Sequence, residues 1–454
     1  MLTSGGTLSF STDTLKFDTV FTAAGSFTTG LLIYNKQSET ITVSSVKLAH
    51  GATSYFHINV DGFKGNTVTD LKIAPHDSIY VFATVNIDPN NKLTPFIISD
   101  SLVATLNGKD FFVPFTAYGQ NARYIVDSAL SGNITWDTVL PYVIVKSAQV
   151  NPTATLNINP GCRIYMHQNS SLIVLGKLFC NGTKDDSVIF QGDRLDRSYF
   201  GYQGYAGEWG CLYFDSKSNG SRLSYTRLLN CGNASAGYAT AIWLAPDSVN
   251  FNNPSATPQL TMDHCIIQNA IGYGILSFTG SLVASNCLVN STGAQALAIF
   301  RGGFDSITNC TFANYGNYTV SHSTSPTLSV LSWLEVKQDV YEYADMNVVL
   351  RNCIVWGSLD SEIVCDTTGS VAHGNYKSYL KFDHSIIKMG TDVEGFVQRN
   401  QCLQQDPLFK DGLKGNFHLT AGSPAIGKGA AVSLTDDLEG WGATRNDIGC
   451  YQYH

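Results

Sequence analysis

The chain has 454 residues, 41 of them Gly, with 24 Phe, 22 Tyr, 11 Cys and only 14% charged residues. That length exceeds one ordinary core, and the Gly- and aromatic-rich composition favours a multi-domain all-β protein with many turns. A formal charge of −8 without a basic block removes the main driving force for nucleic-acid binding, and no run of 18 apolar residues exists to span a bilayer.

Met1-Leu2-Thr3-Ser4-Gly5-Gly6 has neither a basic n-region nor an apolar h-region. Two explanations compete: a cytosolic protein, or the mature segment of an exported protein that has lost its export signal. The polar Ser/Gly character, like the tether that follows a removed signal, leads us to expect the second, which leaves place for a lipid anchor upstream. Residues 1–120 carry short alternating strands: Thr7-Leu8-Ser9-Phe10, Thr29 to Tyr34, Thr40 to Val43, Ser78 to Val85, Asp100 to Leu106 and Asp110 to Phe115. Turn clusters such as Asp88-Pro89-Asn90-Asn91 and Asn107-Gly108-Lys109 divide them, which predicts a β-sandwich. With its Asn35-Lys36 turn, the Val81-Phe82-Ala83-Thr84-Val85 strand and the closing Pro114 to Gly119, this region resembles the bacterial Ig-like modules that precede surface and periplasmic domains. Residues 121–150 are expected to link the sandwich to a second domain, or to cap it.

Between residues 260 and 390 the chain repeats itself. Asp263-His264-Cys265-Ile266-Ile267, Ser285-Asn286-Cys287-Leu288-Val289, Thr308-Asn309-Cys310-Thr311-Phe312, Arg351-Asn352-Cys353-Ile354-Val355 and the degraded Asp383-His384-Ser385-Ile386-Ile387 are copies of one phrase. Cys265 to Cys287 is 22 residues, Cys287 to Cys310 is 23, and Cys310 to Cys353 is 43. A period of about 22 residues predicts a β-solenoid whose coils must stack to bury their apolar sides.

The cysteines occupy equivalent positions of successive coils, and no Cys-x-x-Cys pair suggests zinc or thioredoxin chemistry. Side chains in such a ladder point the same way, so buried free thiols are expected rather than disulfides. If the Cys287 thiol is buried without a hydrogen-bond partner, Cys287→Ser should cost on the order of 1–3 kcal/mol. His264 and His384 fill the slot of Asn286, Asn309 and Asn352, as members of a polar ladder at a corner of the coil. His322 and His373 stand alone in the sequence.

Thr155 to Met166, Leu172 to Gly182, Ser187 to Arg194 and Gly207 to Phe214 resemble the opening coils of secreted right-handed parallel β-helix proteins of Bacteroidetes-type bacteria. Asp406-Pro407-Leu408-Phe409, His418 to Gly429 and Asp447-Ile448-Gly449-Cys450-Tyr451 resemble the tail that ends many of them. Gly427, Cys450 and Gln452 stand where that tail usually carries Asp, Ala and Glu. The resemblance covers about two-thirds of the chain. It implies an all-β protein, with an Ig-like β-sandwich followed by a pectate-lyase-like right-handed parallel β-helix over 151–454. Residues 403–454 would close its open end, with Arg445 paired to Asp436, Asp437 or Asp447.

The same resemblance points to polysaccharides, since β-helix enzymes hold sugar chains along one face, but the fold alone does not decide activity. No nucleophile elbow, phosphate loop or EF-hand pattern is present. Two places break the period. Arg194, Arg197, Tyr199, Tyr202 and Trp209, with Asp193 and Asp196 among them, could offer aromatic faces and guanidinium forks to a sugar acid. The competing reading is a loop with its own Arg and Asp paired.

The interval 317–348 holds Trp333, Glu335 and Asp339. If helical, Glu335, Asp339 and Glu342 share one face; if extended, Leu334 and Val336 alternate with Glu335 and Lys337. The expected function is non-catalytic binding of a polysaccharide or cell-surface protein along the solenoid of an exported, surface-anchored or periplasmic protein, without cofactor. The alternative is a polysaccharide lyase or glycoside hydrolase with a groove on the same scaffold, calcium entering only with a lyase.

Overall fold

The structure, a computed structural model, describes residues 4–195, 204–234, 237–245, 258–367, 376–390, 393–394, 397–442 and 446–454. Two compact units divide it: residues 1–123 with 194–203, and 124–193 with 204–454.

In the first unit, alternation of apolar and polar residues builds two five-stranded sheets. One runs Ser9–Phe10, Thr29–Tyr34, Ser78–Val85, Phe56–Val60, Phe63–Lys64; the other runs Leu15–Phe21, Lys109–Gln120, Phe96–Leu106, Ile41–Leu48, Thr67–Ile73. Ser78–Val85 shows the rule, with Ile79, Val81, Ala83 and Val85 buried and Tyr80 and Phe82 exposed. The inward residues of both sheets, among them Phe17, Ile33, Val43, Phe56, Leu102 and Phe115, form one core.

The second unit is a stack of parallel coils, each contributing a strand to three faces. The first face runs from Asn133–Trp136 to Val397–Asn400 and contains ten strands. The second face includes Thr226–Leu229, Ile266–Ala270, Leu288–Thr292, Thr311–Asn314, Ile354–Gly357 and Ile386–Ile387. The third includes Leu212–Phe214, Thr240–Leu244, Tyr273–Phe278, Leu297–Phe300, Leu328–Leu331 and Ile363–Asp366. Residues 124–150 belong to this stack, through Asn133–Trp136 on the first face and Tyr142–Val150 beside Arg163–Met166 and Ser171–Val174. Among the described residues no helix is long and apolar enough to cross a membrane.

The repeated phrase is the corner between the first and second faces. His264, Asn286, Asn309, Asn352 and His384 have φ of 52°, 50°, 50°, 53° and 46°. This is the left-handed region, where Asn and His are over-represented among non-glycine residues. The next residue turns inward. Cys287 Sγ donates to the Ser285 carbonyl (3.1 Å) and accepts from the Cys265 amide (3.5 Å); Cys310 Sγ does the same with Thr308 (3.4 Å) and Cys287 (3.4 Å).

All eleven cysteines are free, and burial pushes the Cys265, Cys287 and Cys310 thiols well above the ordinary range. The Cys287 thiol therefore has partners, and the expectation for Cys287→Ser is corrected. Ser385 already performs both hydrogen bonds three rungs on, donating to Asp383 O (3.0 Å) and accepting from the Cys353 amide (3.1 Å). We expect Cys287→Ser to lower the unfolding free energy from urea titration by less than about 1 kcal/mol. Cys287→Ala strands the Cys265 amide and should cost about 1–3 kcal/mol.

The C-terminal segment meets the last coil at Leu403, whose parallel bridge to Ile386 extends the second face. It runs along the outer side of the second face, over five coils, and Phe417, Leu438, Cys450 and Tyr451 pack on Leu288 and Ala313. Leu419, Ala425 and Ile448 pack on Ile354, Trp356 and Ile386. The asparagine ladder supplies the polar seam. Asn286 Nδ2 donates to Asp436 O (3.1 Å), Asn309 Nδ2 to Asp447 O (3.2 Å), and Asn352 exchanges two bonds with Ala430 (2.9 and 2.8 Å). Asp437 and Asp447 are buried acceptors for tail amides. Arg445, expected to pair with them, lies outside the described residues.

Candidate functional site

With the second face sheathed by the chain's own tail, the third face offers an aromatic solenoid surface. In register, Tyr213, Trp243, Leu276, Ala298, Ser329 and Val364 form one outward column. Phe278 and Phe300 are paired one step along.

Aromatic rings interlock over this column. Tyr213 meets Trp243 edge-on at 5.0 Å, Tyr238 meets Trp243 at 4.9 Å and Phe278 at 5.5 Å, and Tyr273 meets Phe300 at 6.4 Å. Such rings give each other little freedom, so the surface is held in shape before any ligand arrives. Leu276, Phe278 and Ala298 are buried although they face outward, while Tyr238 stays 45% exposed.

The insertion is extended, which settles the choice between the two arrangements read from its sequence. Trp333–Lys337 and Val340–Tyr343 form a hairpin whose Leu334 packs on the outer cluster of Leu276, Phe278 and Ala298. Two polar clamps hold it beside the third face. Trp333 Nε1 donates to Asp366 Oδ2 (2.6 Å). Arg301, fully buried, donates from Nη1 to Glu342 Oε2 (2.5 Å) and from Nε to Thr279 Oγ1 (2.7 Å). Burial pulls the Arg301 guanidinium down to about 10, with the Glu342 carboxylate opposing, and it remains charged at neutral pH.

The residues singled out from sequence fall in different places. Trp209 is fully buried, its ring 6.4 Å from Phe190 and its indole N–H donating to Leu229 O (2.8 Å). It therefore supports the coil and presents no face to a ligand. Arg194 is exposed and groups with the N-terminal unit, its guanidinium carbon 5.8 Å from the centre of the Phe27 ring. Arg197, Tyr199 and Tyr202, with Asp196, lie outside the described residues, as does His373.

Trp333 is half-buried in the hairpin base. Glu335 and Asp339 are exposed at its far end, joined by the bond from the Asp339 amide to Glu335 Oε1 (3.1 Å). His322, expected to stand alone, is buried with its Nε2 3.0 Å from Glu362 Oε2. The Thr327 amide and hydroxyl donate to that same oxygen. Tyr213, Tyr238, Trp243, Tyr273, Phe278 and Phe300 were not singled out, because third-face strands follow loops of unequal length and these rings come together only once the coils are in register.

The constellation at the corner, by contrast, is structural. His264 Nδ1 lies 2.8 Å from Asp263 Oδ1 and its Nε2 3.3 Å from Asp436 Oδ1, beneath a Tyr225 ring stacked at 4.3 Å. Although burial opposes it, the His264 hydrogen bond and charge hold the Asp263 carboxyl below the usual range, helped by Ser285 and Arg222. All of these groups belong to the ladder and the tail it clasps. No cluster of three or more His, Cys, Asp or Glu with metal-holding geometry occurs among the described residues.

No protein-family model matches the chain, and no curated protein does. Among solved structures it is similar to a family 123 glycoside hydrolase from Clostridium perfringens, studied for glycolipid glycan hydrolysis. The identity is 10%, the match covers 26% of this chain and 26% of that one, and the TM-score is 0.19. It is also similar to the catalytic domain of a GH87 α-1,3-glucanase variant in complex with nigerose, at 8% identity, 84% and 88% coverage and a TM-score of 0.17. Superpositions this loose carry no argument about what this chain does.

Proposed function

We propose that the protein binds a glycan strand along the third face of its solenoid and holds it without turning it over. The carrying observation is the outward cluster of Tyr213, Tyr238, Trp243, Tyr273, Phe278 and Phe300, braced edge-to-face and bordered by the clamped hairpin. Pyranose rings present apolar C–H faces and polar edges, and suit a surface of rigid aromatic faces flanked by groups such as Gln295 and Ser329. We infer an exported or surface setting for such a protein. Ten of the eleven thiols are buried, which keeps them out of reach in an oxidising compartment. We also read the sandwich as Ig-like, since its long strands Leu15–Phe21 and Lys109–Gln120 pair in parallel at one edge.

The test is retention of the full chain on a panel of immobilised neutral and uronate-containing polysaccharides, with product formation assayed in parallel. Tyr238→Ala combined with Trp243→Ala should weaken retention at least tenfold while the far-UV spectrum is unchanged. Retention unaffected by that pair, or no retention on any polymer, overturns the reading. Turnover of a polymer at enzyme-like rates overturns its non-catalytic part and favours the lyase or hydrolase.

A further inference from the structure

We propose that the outer face of the N-terminal sandwich is a second binding site, distinct from the third face of the solenoid, and that it takes sugars bearing a carboxylate. On the sheet containing Ser78–Val85 the register places Gly30, Phe82, Asn59 and Lys64 in one cross-strand row, with Thr84 opposite His57 beside it. Gly30 has a local reason to be glycine, because a Cβ there would stand 2.9 Å from the Val81 carbonyl and 3.2 Å from the Phe82 ring. The bare position lets the Phe82 ring lie against the sheet.

Tyr80, two residues along on the same side, sets its ring 5.7 Å from that of Phe82 with only 4° between the planes. Both rings are exposed, at 56% and 46%. Two parallel exposed rings at i and i+2 of one strand are costly to leave in water, and monomeric surfaces seldom keep such patches without a use.

Next to these rings is a cleft of about 590 Å³ whose lining includes His57, Asn59, Lys64, Asn66, Phe82 and Thr84. Its polar groups are placed for a hydroxyl-rich ligand. Asn66 is held by the bond from its Nδ2 to Gly51 O (2.9 Å), whereas Asn59 Oδ1 is shielded from bulk water and accepts no hydrogen bond.

Charge selects among sugars. The lining contains Lys64 and His57 but no carboxylate, in a chain whose formal charge is −8. Lys64 forms no ion pair among the described residues. A ring face for the pyranose, an ammonium for its carboxylate and amides for its hydroxyls together describe a uronate.

The experiment is calorimetric titration of the full chain with a galacturonate tetramer and with its methyl ester, which keeps the shape and removes the charge. The acid form should bind, the ester at least tenfold more weakly, and added salt should weaken the acid form alone. Phe82→Ala and Lys64→Glu, both exposed positions, should each raise the Kd at least tenfold, whereas Tyr238→Ala with Trp243→Ala should leave it unchanged.

Equal binding of acid and ester, indifference to Lys64→Glu, or no heat with either tetramer at millimolar concentration overturns the proposal. So does loss of binding in the solenoid variant alone, which would move the uronate site to the third face. A failure of the polysaccharide retention test that leaves this titration intact overturns only the solenoid reading.

Discussion

Asp305→Asn flattens the fall in stability that the solenoid otherwise undergoes between about pH 4 and pH 7. Asp305 is 2% exposed and points into the lumen of the coils. Its Oδ1 accepts from the Leu282 amide (2.8 Å), and its Oδ2 has no hydrogen-bond partner. Burial raises its carboxyl from 3.8 to about 7, against the weaker lowering effect of the Leu282 bond. The native protein thus keeps a proton that the unfolded chain releases near pH 4.

The stabilising effect of that proton is complete below about pH 4, declines through the window, and is lost above about pH 7. Three units at about 1.4 kcal/mol each put the total on the order of 4 kcal/mol. The Asn carboxamide still accepts from Leu282 and never ionises. Urea midpoints at pH 4.5 and pH 8 should therefore diverge for the native chain relative to the variant. A difference between the two proteins that is the same at both pH values would contradict this account.

Glu342→Ala should be the most damaging single change at the solenoid site, at about 3–5 kcal/mol. It removes the carboxylate from a guanidinium that is fully buried, and a buried charge deprived of its counter-charge costs more than the pair contributes when intact. The Arg301 and Gly302 amides also bond to the Trp333 and Leu331 carbonyls, so the strain falls where the hairpin meets the coil. Arg301→Met in the same chain should recover most of the loss, because the charge and its partner then leave together. Urea unfolding of the single and double variants measures the coupling, and hydrogen exchange across 333–343 should report faster opening in the single variant. A loss below about 1 kcal/mol for Glu342→Ala would mean that the pair is not load-sharing with the coil.

Much of the second unit is legible from its repeated phrase. An Asn or His in the left-handed region followed by a residue turned inward is a local requirement of the corner, and it recurs in every copy. The phrase even contains the Asp305 anomaly. Five residues before each inward Cys or Ser stand Leu260, Leu282, Val348 and Leu380, and at the same place before Cys310 stands Asp305. The structure aligns Asp305 with Val348 and Val348 with Leu380 in one inward column. An acid in an aliphatic column was thus visible in the repeat itself, while the shift in its ionisation depends on packing from all sides.

The site was far less legible. Trp209 reads as a sugar platform beside Arg194, and yet its ring is buried in the coil interior because the Leu229 carbonyl receives its N–H there. His322 reads as solitary, because its partner Glu362 lies 40 residues away on an adjacent turn.

Residue order alone settled the solenoid period, the left-handed corners, the inward thiols and the alternating strands of the sandwich, since each depends on neighbours within a few positions or one coil. Only the folded chain decided which outward surfaces remain open. The segment from residue 403 covers the second face through contacts that reach back as far as Lys184, whose ammonium lies over the Trp441 ring. The third face brings its aromatics together only because coils of unequal length are brought into common register by their backbone hydrogen bonds. Exposure is a property of the whole packed surface, and no local window of sequence contains the atoms that remove water from a side chain.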